Sequence, residues 1–268
     1  LKPSLPFIPG MELSGIICES NSKEYPIGTK VIYQMRFGGY SEEIIANIDD
    51  LKVFPNNFTY EQAAGFSVAS QTAYVSLVER ANILEGQTIL ILGAAGGVGL
   101  AAIQLANAIG AKVIAICSTK SKQEIAIKAG AKYALGYDNM INEVAEITEK
   151  EGVDVIYDPI GGEYFLNALK TIKWGGKILI VGFASGSIPS LPINIPLIKG
   201  ISVLGVRAGE YFRKYPNLKK SAMNKILNIA NKGLITPIIH DSIPLRDAIK
   251  ALKKIENREV IGRLILKP

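Results

Sequence analysis

The stretch Leu90–Leu100, LILGAAGGVGL, sets glycines at positions 93, 96, 97 and 99 into an otherwise apolar run. Three readings compete for it: a turn that binds a nucleotide, part of a membrane span, or a flexible loop. From Thr88 to Cys117 only Lys112 is charged, and thirty such residues are long enough on hydropathy alone to cross a bilayer. The order within the stretch argues otherwise. Glycines fall early, Gln104, Asn107 and Gly110 interrupt the middle, and a β-branched run, Lys112-Val113-Ile114-Ala115-Ile116, closes it. Strand, turn, helix and strand account for that order better than one spanning helix.

Working outward from the glycines, the same alternation continues. Strand Thr88–Leu92 leads to helix Gly97–Ile109, strand Lys112–Ile116 to helix Lys120–Ala129, and a short strand Tyr133–Gly136 to helix Asn139–Lys150. Strand Asp154–Tyr157, helix Glu163–Leu169 and strands Lys177–Val181 and Ile201–Leu204 complete the series. Strands apolar on both faces, separated by helices, imply an α/β class protein with a parallel sheet covered on both sides. Six of them fit a Rossmann, doubly wound parallel sheet.

The flanks differ. Residues 1–55 carry short β-like runs such as Gly15-Ile16-Ile17-Cys18 and Lys30-Val31-Ile32-Tyr33 between Pro, Gly and Asn signals, pointing to a barrel-like or sandwich-like β region. Glu61–Glu79 reads as one helix. After Gly205 come a lysine-rich helix over Asn217–Asn231, a strand near Ile238–Ile239, a helix Pro244–Ile255 and a strand Ile261–Leu266. The last two strands have no place in a six-stranded Rossmann sheet and are returned to the N-terminal β region. The expected division is 1–70 with 236–268 for a smaller β domain, and 71–235 for the nucleotide-binding domain.

Bulk composition sets limits. The chain has 268 residues, 48% of them apolar and 20% charged, as in an ordinary globular protein. The net charge of +6 does not point to nucleic acid, because the lysines are scattered and no basic cluster is interleaved with aromatics. Cys18 and Cys117 match neither a disulfide framework nor a metal or redox pattern, so a reducing compartment, the cytoplasm, is expected. The opening LKPSLPFIPG has early prolines and lacks the long apolar core of a signal peptide.

In a Rossmann unit the first strand feeds a tight turn whose N–H groups, at the positive end of the next helix, hold a pyrophosphate. Ala94-Ala95-Gly96-Gly97-Val98-Gly99 supplies the second and third glycines of G-x-G-x-x-G, with Ala94 in place of the first. The alternative is a glycine turn that only packs helix against strand. The end of the second strand selects the cofactor. An NAD site usually carries Asp or Glu there for the ribose hydroxyls, whereas this chain has Cys117-Ser118-Thr119-Lys120-Ser121-Lys122. A carboxylate about 4 Å from a 2′-phosphate would be repelled by roughly 4 kcal/mol at an effective dielectric near 20, so its absence favours NADPH. The alternative here is a solvated start of a helix.

With these motifs the chain resembles the zinc-independent medium-chain dehydrogenase/reductases, specifically the NADPH:quinone oxidoreductases that include zeta-crystallin. The resemblance rests on Leu5-Pro6-Phe7-Ile8-Pro9-Gly10-Met11-Glu12, Gly28-Thr29-Lys30-Val31 near Gly38-Gly39-Tyr40, Gln71-Thr72-Ala73-Tyr74, the glycine turn, Asp158-Pro159-Ile160-Gly161-Gly162, Val181-Gly182-Phe183, and Asn257-Arg258 before Gly262-Arg263. It runs through the whole chain in order.

The resemblance implies a GroES-like fold for the smaller domain. The family's first strands precede the position of Leu1, so an N-terminally incomplete domain is expected. It also implies that Ala95, Gly96, Gly97 and Val98 form the pyrophosphate site and that Ser118 and Lys122 bind the 2′-phosphate. Tyr137 would stand beside the adenosine phosphate, Thr72 near the nicotinamide, Phe183 after the fifth strand, and Arg258 would reach the cofactor from the C-terminal segment.

Gly10-Met11-Glu12 departs from the Gly-His-Glu of zinc-dependent relatives, and their four-cysteine lobe is missing. A thioether is a poor zinc ligand, so no metal is expected. His240, the only histidine, reads as an ordinary hydrogen-bonded residue.

The implied reaction is hydride transfer from NADPH to a small-molecule quinone or other α,β-unsaturated carbonyl. No catalytic side chain is assigned; Tyr40 is a candidate for the pocket wall, with a core or hinge role as the alternative. Rival readings are an enoyl-thioester or alkenal reductase of the same family, a non-catalytic NADPH-binding protein, and a short-chain dehydrogenase on the strength of Tyr215-x-x-x-Lys219. That spacing contains Pro216, which is unsuited to two side chains sharing one helix face. A homodimer without membrane contact is expected, with Ile188–Pro196 and the sixth strand resembling the family's dimer edge.

Overall fold

The computed structural model describes residues 3–268. Its backbone divides into two compact units, one made of the chain through Ala69 together with Ala230–Pro268, the other of Ser70–Ile229. In the first unit β1 (Glu12–Ile16), β2 (Lys30–Gln34) and β3 (Leu51–Val53) form an antiparallel sheet in that order. Its small core is Tyr25, Val31 and Leu51, with the Tyr25 hydroxyl donating to the Leu51 carbonyl at 3.0 Å. The Gly15–Cys18 run is only half strand, because β1 ends at Ile16.

The second unit is built on β4 (Thr88–Ile91), β5 (Lys112–Ile116), β6 (Tyr133–Leu135), β7 (Val153–Asp158), β8 (Ile172–Ile180) and β9 (Ser202–Gly205). They lie in the order β6-β5-β4-β7-β8-β9, every pair parallel. This is the doubly wound Rossmann order, with the strand sequence reversing between β4 and β7.

Leu90, Leu92, Ile114, Ile116 and Ile156 join one core cluster, while Ile89, Ile91, Val113 and Ala115 are also buried. Each fully buried Ile or Leu contributes roughly 1.5–3 kcal/mol, so burial on both faces makes this sheet the main reservoir of stability. The Gly97–Ile109 helix is largely apolar or small, and buries Gly99, Leu100, Ala101, Ala102, Ile103, Leu105 and Ala106. It stops at Gly110, whose left-handed φ of +90° lets its N–H return to the carbonyls of the last turn.

Two expectations are corrected. Glu61–Glu79 is not one helix. A first helix, Tyr60–Ala64, is capped by Thr59 and Gln62 and ends at Gly65. The Arg263 side chain packs where a Cβ on Gly65 would point, 3.1 Å away. A second helix, Ser67–Tyr74, widens into a π-helical turn, Val75–Arg80, where the Ala81 N–H bonds the Ser76 carbonyl. Ser76 Oγ donates back to the Thr72 carbonyl at 2.6 Å, a contact that loosens the regular ladder.

At the C-terminus, β10 (Ile239–Pro244) and β11 (Arg263–Lys267) pair with each other in parallel, in the same unit as the β1–β3 sheet. The expected Pro244–Ile255 helix is a 3₁₀ turn, Leu245–Asp247, followed by helix Ala248–Glu256, since proline serves as the entry residue. His240 sits at the register shift of β10 and accepts the Ile261 N–H at 3.5 Å. Tyr215 closes helix Ala208–Lys214 while Lys219 lies in helix Pro216–Asn231, so the short-chain dehydrogenase spacing falls on two elements.

Candidate functional site

The turn after β4 is held from several sides. Gly93 has φ +57°, and its N–H donates to Tyr137 Oη at 3.0 Å. The Ala94 N–H donates to the Ile116 carbonyl at 3.1 Å, and the Ala95 N–H to the Cys117 thiol. Gly96 is the N-cap of the following helix and accepts the Leu100 N–H at 2.9 Å. The N–H groups of Gly97, Val98 and Gly99 open the helix, where no carbonyl of a preceding turn is available to them. Ala94 and Ala95 are buried, whereas Gly96, Gly97 and Val98 are half-exposed. A Cβ on Gly99 would stand 2.7 Å from the carbonyl oxygens of Gly93 and Ala94, so only glycine lets the helix enter this close to the strand. The result is a concave set of donors at the positive end of a helix, suited to a pyrophosphate.

Beside it, at the end of β5, Lys122 Nζ donates to Ser118 Oγ at 3.4 Å, and Thr119 Oγ1 caps the helix by accepting the Lys122 N–H. Ser118 is exposed and Lys122 half-buried, so hydroxyl and ammonium face outward together. Cys117, directly beneath, is buried, and its thiol is pushed up to about 11 by desolvation, against the lowering effects of the Ala95 N–H and the Lys122 charge.

The third wall consists of two zipped loops. Asp158, the last residue of β7, accepts the N–H groups of Ile160 and Gly161 on Oδ1 at 2.7 and 2.8 Å. Its backbone carbonyl takes the N–H of Val181 and Gly182 after β8, and the Pro159 and Ile160 carbonyls take those of Ala184 and Ser185. Phe183 is exposed on this loop, and a Cβ on Gly161 would stand 2.9 Å from its ring. Burial raises the Asp158 carboxyl above the usual carboxylate range, opposed by those two N–H bonds.

Thr72 lies in the Ser67–Tyr74 helix and reaches the turn through intermediaries. Ser76 Oγ donates to the Thr72 carbonyl and lies beside the fully buried Tyr157, whose hydroxyl donates to the Val98 carbonyl at 3.5 Å.

Of the expected site residues, the structure thus gathers Ala95, Gly96, Gly97, Val98, Ser118, Lys122 and Tyr137 around one turn, with Phe183 on the next loop and Thr72 behind it, separated by Ser76 and Tyr157. Arg258 belongs to the other unit, exposed at a left-handed position after helix Ala248–Glu256.

Comparison with known proteins fits this geometry. The family model for zinc-binding dehydrogenases matches residues 97–224. A quinone oxidoreductase-like protein 2 homolog of Nematostella vectensis is 37% identical over 99% of this chain and 74% of its own length. The Bos taurus quinone oxidoreductase-like protein 2 is 33% identical over 98% and 76%. The Escherichia coli quinone oxidoreductase, solved with NADPH, is 30% identical, with a TM-score of 0.88 over 100% of this chain and 84% of its own.

The chain belongs to the zeta-crystallin-like quinone oxidoreductase family of medium-chain dehydrogenase/reductases. It is therefore an oxidoreductase. The family model's zinc does not suit the residues present. Met11 is exposed where zinc-dependent members have histidine, and the neighbouring Glu12 is occupied structurally: it is ion-paired with Arg263 and accepts the Val68 N–H at 2.7 Å. Among the described residues no group of three or more His, Cys, Asp or Glu is placed to hold a metal. Nor, among them, is any helix long and apolar enough to cross a membrane.

Sequence reasoning gave no role to Asp158, Cys117, Tyr157 or Ser76. A carboxylate ending an apolar strand just before Pro-x-Gly-Gly was the one signal available for Asp158.

Proposed function

We propose that this quinone oxidoreductase family member reduces quinones, or closely related α,β-unsaturated carbonyls, with NADPH and without a metal. The observation that carries the cofactor choice is the Lys122–Ser118 contact at the end of β5, in a segment without Asp or Glu. The relative from Escherichia coli solved with NADPH supports the same reading.

In this reading the N–H groups of Gly97, Val98 and Gly99 hold the pyrophosphate on the helix terminus, with Ala95 and Gly96 shaping the turn. Ser118 and Lys122 hold the 2′-phosphate by a hydroxyl donor and a point charge. Tyr137 flanks that end, while Thr72 and Phe183 stand toward the nicotinamide end. Bound nicotinamide supplies a hydride; the protein's contribution is orientation and exclusion of water. No side chain is assigned as acid, since a reduced quinone can take its protons from solvent.

Stopped-flow NADPH oxidation with 1,4-benzoquinone or 9,10-phenanthrenequinone tests this. Multiple turnovers are expected, faster with NADPH than with NADH. Binding and quenching of NADPH without turnover would leave a non-catalytic cofactor binder, and turnover with alkenals or enoyl thioesters alone would remove the quinone.

The same reading makes the protein a cytoplasmic homodimer paired along β9. This edge strand exposes Val203 beside Ile188, Ile193, Leu197 and Ile198. Sedimentation equilibrium giving a monomer would exclude that pairing.

A further inference from the structure

Where β7 crosses the core, Val153, Val155 and Ile156 are buried and apolar, and Tyr157 alone brings a hydroxyl. It is fully buried, with Ile91 of β4 on one side and Leu179 of β8 on the other. Phenylalanine would fill the same space without desolvating a polar group, so the hydroxyl has to be matched by a partner. Its partner is the Val98 carbonyl, 3.5 Å away in the first turn of the helix that follows the glycine turn. Ser76, also fully buried, lies beside it. Burial lifts the phenol above its ordinary range, against the lowering effect of Ser76, so it stays a donor at neutral pH.

Two features of these neighbours point beyond packing. The Val98 carbonyl and the Gly99 N–H belong to one planar peptide group. That N–H has no carbonyl of a preceding turn to bond and stands among the donors at the positive end of the helix. A hydrogen bond to the carbonyl fixes the plane in which the N–H points and polarises it as a donor. Ser76, for its part, lies in the π-helical turn Val75–Arg80, and its Oγ donates to the Thr72 carbonyl at 2.6 Å. Such turns recur at functional sites, where a helix departs from regular geometry.

We propose that Tyr157 is a positioning residue for the dinucleotide site: its hydroxyl holds the Val98–Gly99 peptide in the orientation that presents the Gly99 N–H to a pyrophosphate, and ties that peptide to the π-helical turn next to Thr72. Tyr157 touches no cofactor; it acts through the peptide. A strand of the central sheet thereby sets the aim of a donor on the neighbouring helix. The inference rests on the proposed pyrophosphate turn.

Tyr157→Phe keeps the ring and deletes the hydroxyl. In the ligand-free protein the Gly99 amide nitrogen resonance is expected to move upfield as the carbonyl of its peptide loses a donor, while that of Gly110, at the far end of the same helix, stays in place. Kd should rise by one common factor for NADPH and NADH, about three- to fivefold for one long neutral hydrogen bond. Adenosine 2′-monophosphate, which has no pyrophosphate, should bind as it does to the wild type. Inorganic pyrophosphate should shift the Gly97–Gly99 and Ser76 amides in the wild-type protein, and only those of Gly97–Gly99 in the variant. Ser76→Ala removes the other oxygen beside the phenol and leaves the Val98 carbonyl as its sole acceptor. It should move the Gly99 resonance the opposite way, and it decides the question if Tyr157→Phe does not fold.

An unmoved Gly99 amide or an unchanged Kd for the two dinucleotides would overturn the proposal. An equal loss of adenosine 2′-monophosphate would overturn it too, since that marks general loosening of the unit. A Ser76 amide that answers pyrophosphate alike in both proteins would overturn the tie to the π-helical turn. If the wild-type protein bound neither dinucleotide nor pyrophosphate, the proposed function itself would fail, whereas any of the preceding results with wild-type binding intact would remove the role of Tyr157 alone.

Discussion

Replacing Lys122 with alanine separates the two nicotinamide cofactors most directly. Its ammonium group lies 3.4 Å from Ser118 Oγ on a half-buried side chain, and the N-cap of Thr119 uses the Lys122 backbone and survives truncation. A unit charge about 4 Å from a phosphate oxygen gains about 1 kcal/mol in bulk water and about 4 kcal/mol at an effective dielectric of 20. A half-buried lysine falls between these limits, and about 2 kcal/mol corresponds to roughly a 30-fold rise in Kd. NADH, with a hydroxyl in place of the phosphate, should change less than about twofold. Fluorescence titration with both cofactors at 50 mM and 500 mM NaCl reads this, and the NADPH difference should shrink at high salt as the charge is screened. Equal losses for both cofactors, or a difference independent of salt, would refute the 2′-phosphate assignment.

Other outcomes follow from the packing and the charges. Gly99→Ala forces a Cβ to 2.7 Å from two backbone oxygens, so thermal unfolding should show a loss of about 1–3 kcal/mol together with loss of NADPH binding. Glu61 is hydrogen-bonded to Lys267, which holds its carboxyl down at about 2. Its folded value lies below its unfolded one, so the pair stabilises above about pH 4.5 and is lost as pH falls through 2. Lys267→Met should flatten that acid limb in urea titrations, by less than about 1 kcal/mol because the pair is solvent-screened. Ellman's reagent at pH 8 should label exposed Cys18 rapidly and spare Cys117, which is buried and raised to about 11. Rapid modification of both thiols would show that the turn above Cys117 opens readily.

Much of the fold could be read in the sequence because the β4–β9 sheet is buried on both faces. Its strands are continuous apolar runs, and the Gly97–Ile109 helix is bracketed by the glycine turn and Gly110. The outer turns were harder, since their causes are tertiary. The space beside Gly65 is taken by Arg263, almost two hundred residues away, and the π-helical turn at Val75 accompanies a serine that back-bonds to Thr72.

Ser118 and Lys122 were legible because the site needs their chemistry at a fixed place after the second strand. The Tyr137–Gly93 bond and the burial of Asp158 Oδ2 without a partner among the described residues were not. Hydrogen bonding between side chains and turns across different βα units leaves no periodic trace in the chain.

The pairing of Glu12 with Arg263 has a consequence for how the molecule is made. Glu12 in β1, buried between its ion pair and the Val68 amide, is completed by a residue that leaves the ribosome about 250 positions later. Until then its carboxylate lacks the Arg263 countercharge, and its enclosure in the core would be unfavourable. The Ser70–Ile229 unit is contiguous and can close during synthesis. The N-terminal segment must stay open through that interval, with β1 waiting for β11. A nascent chain stalled before Arg263 should therefore carry a protease-resistant centre and a still digestible beginning.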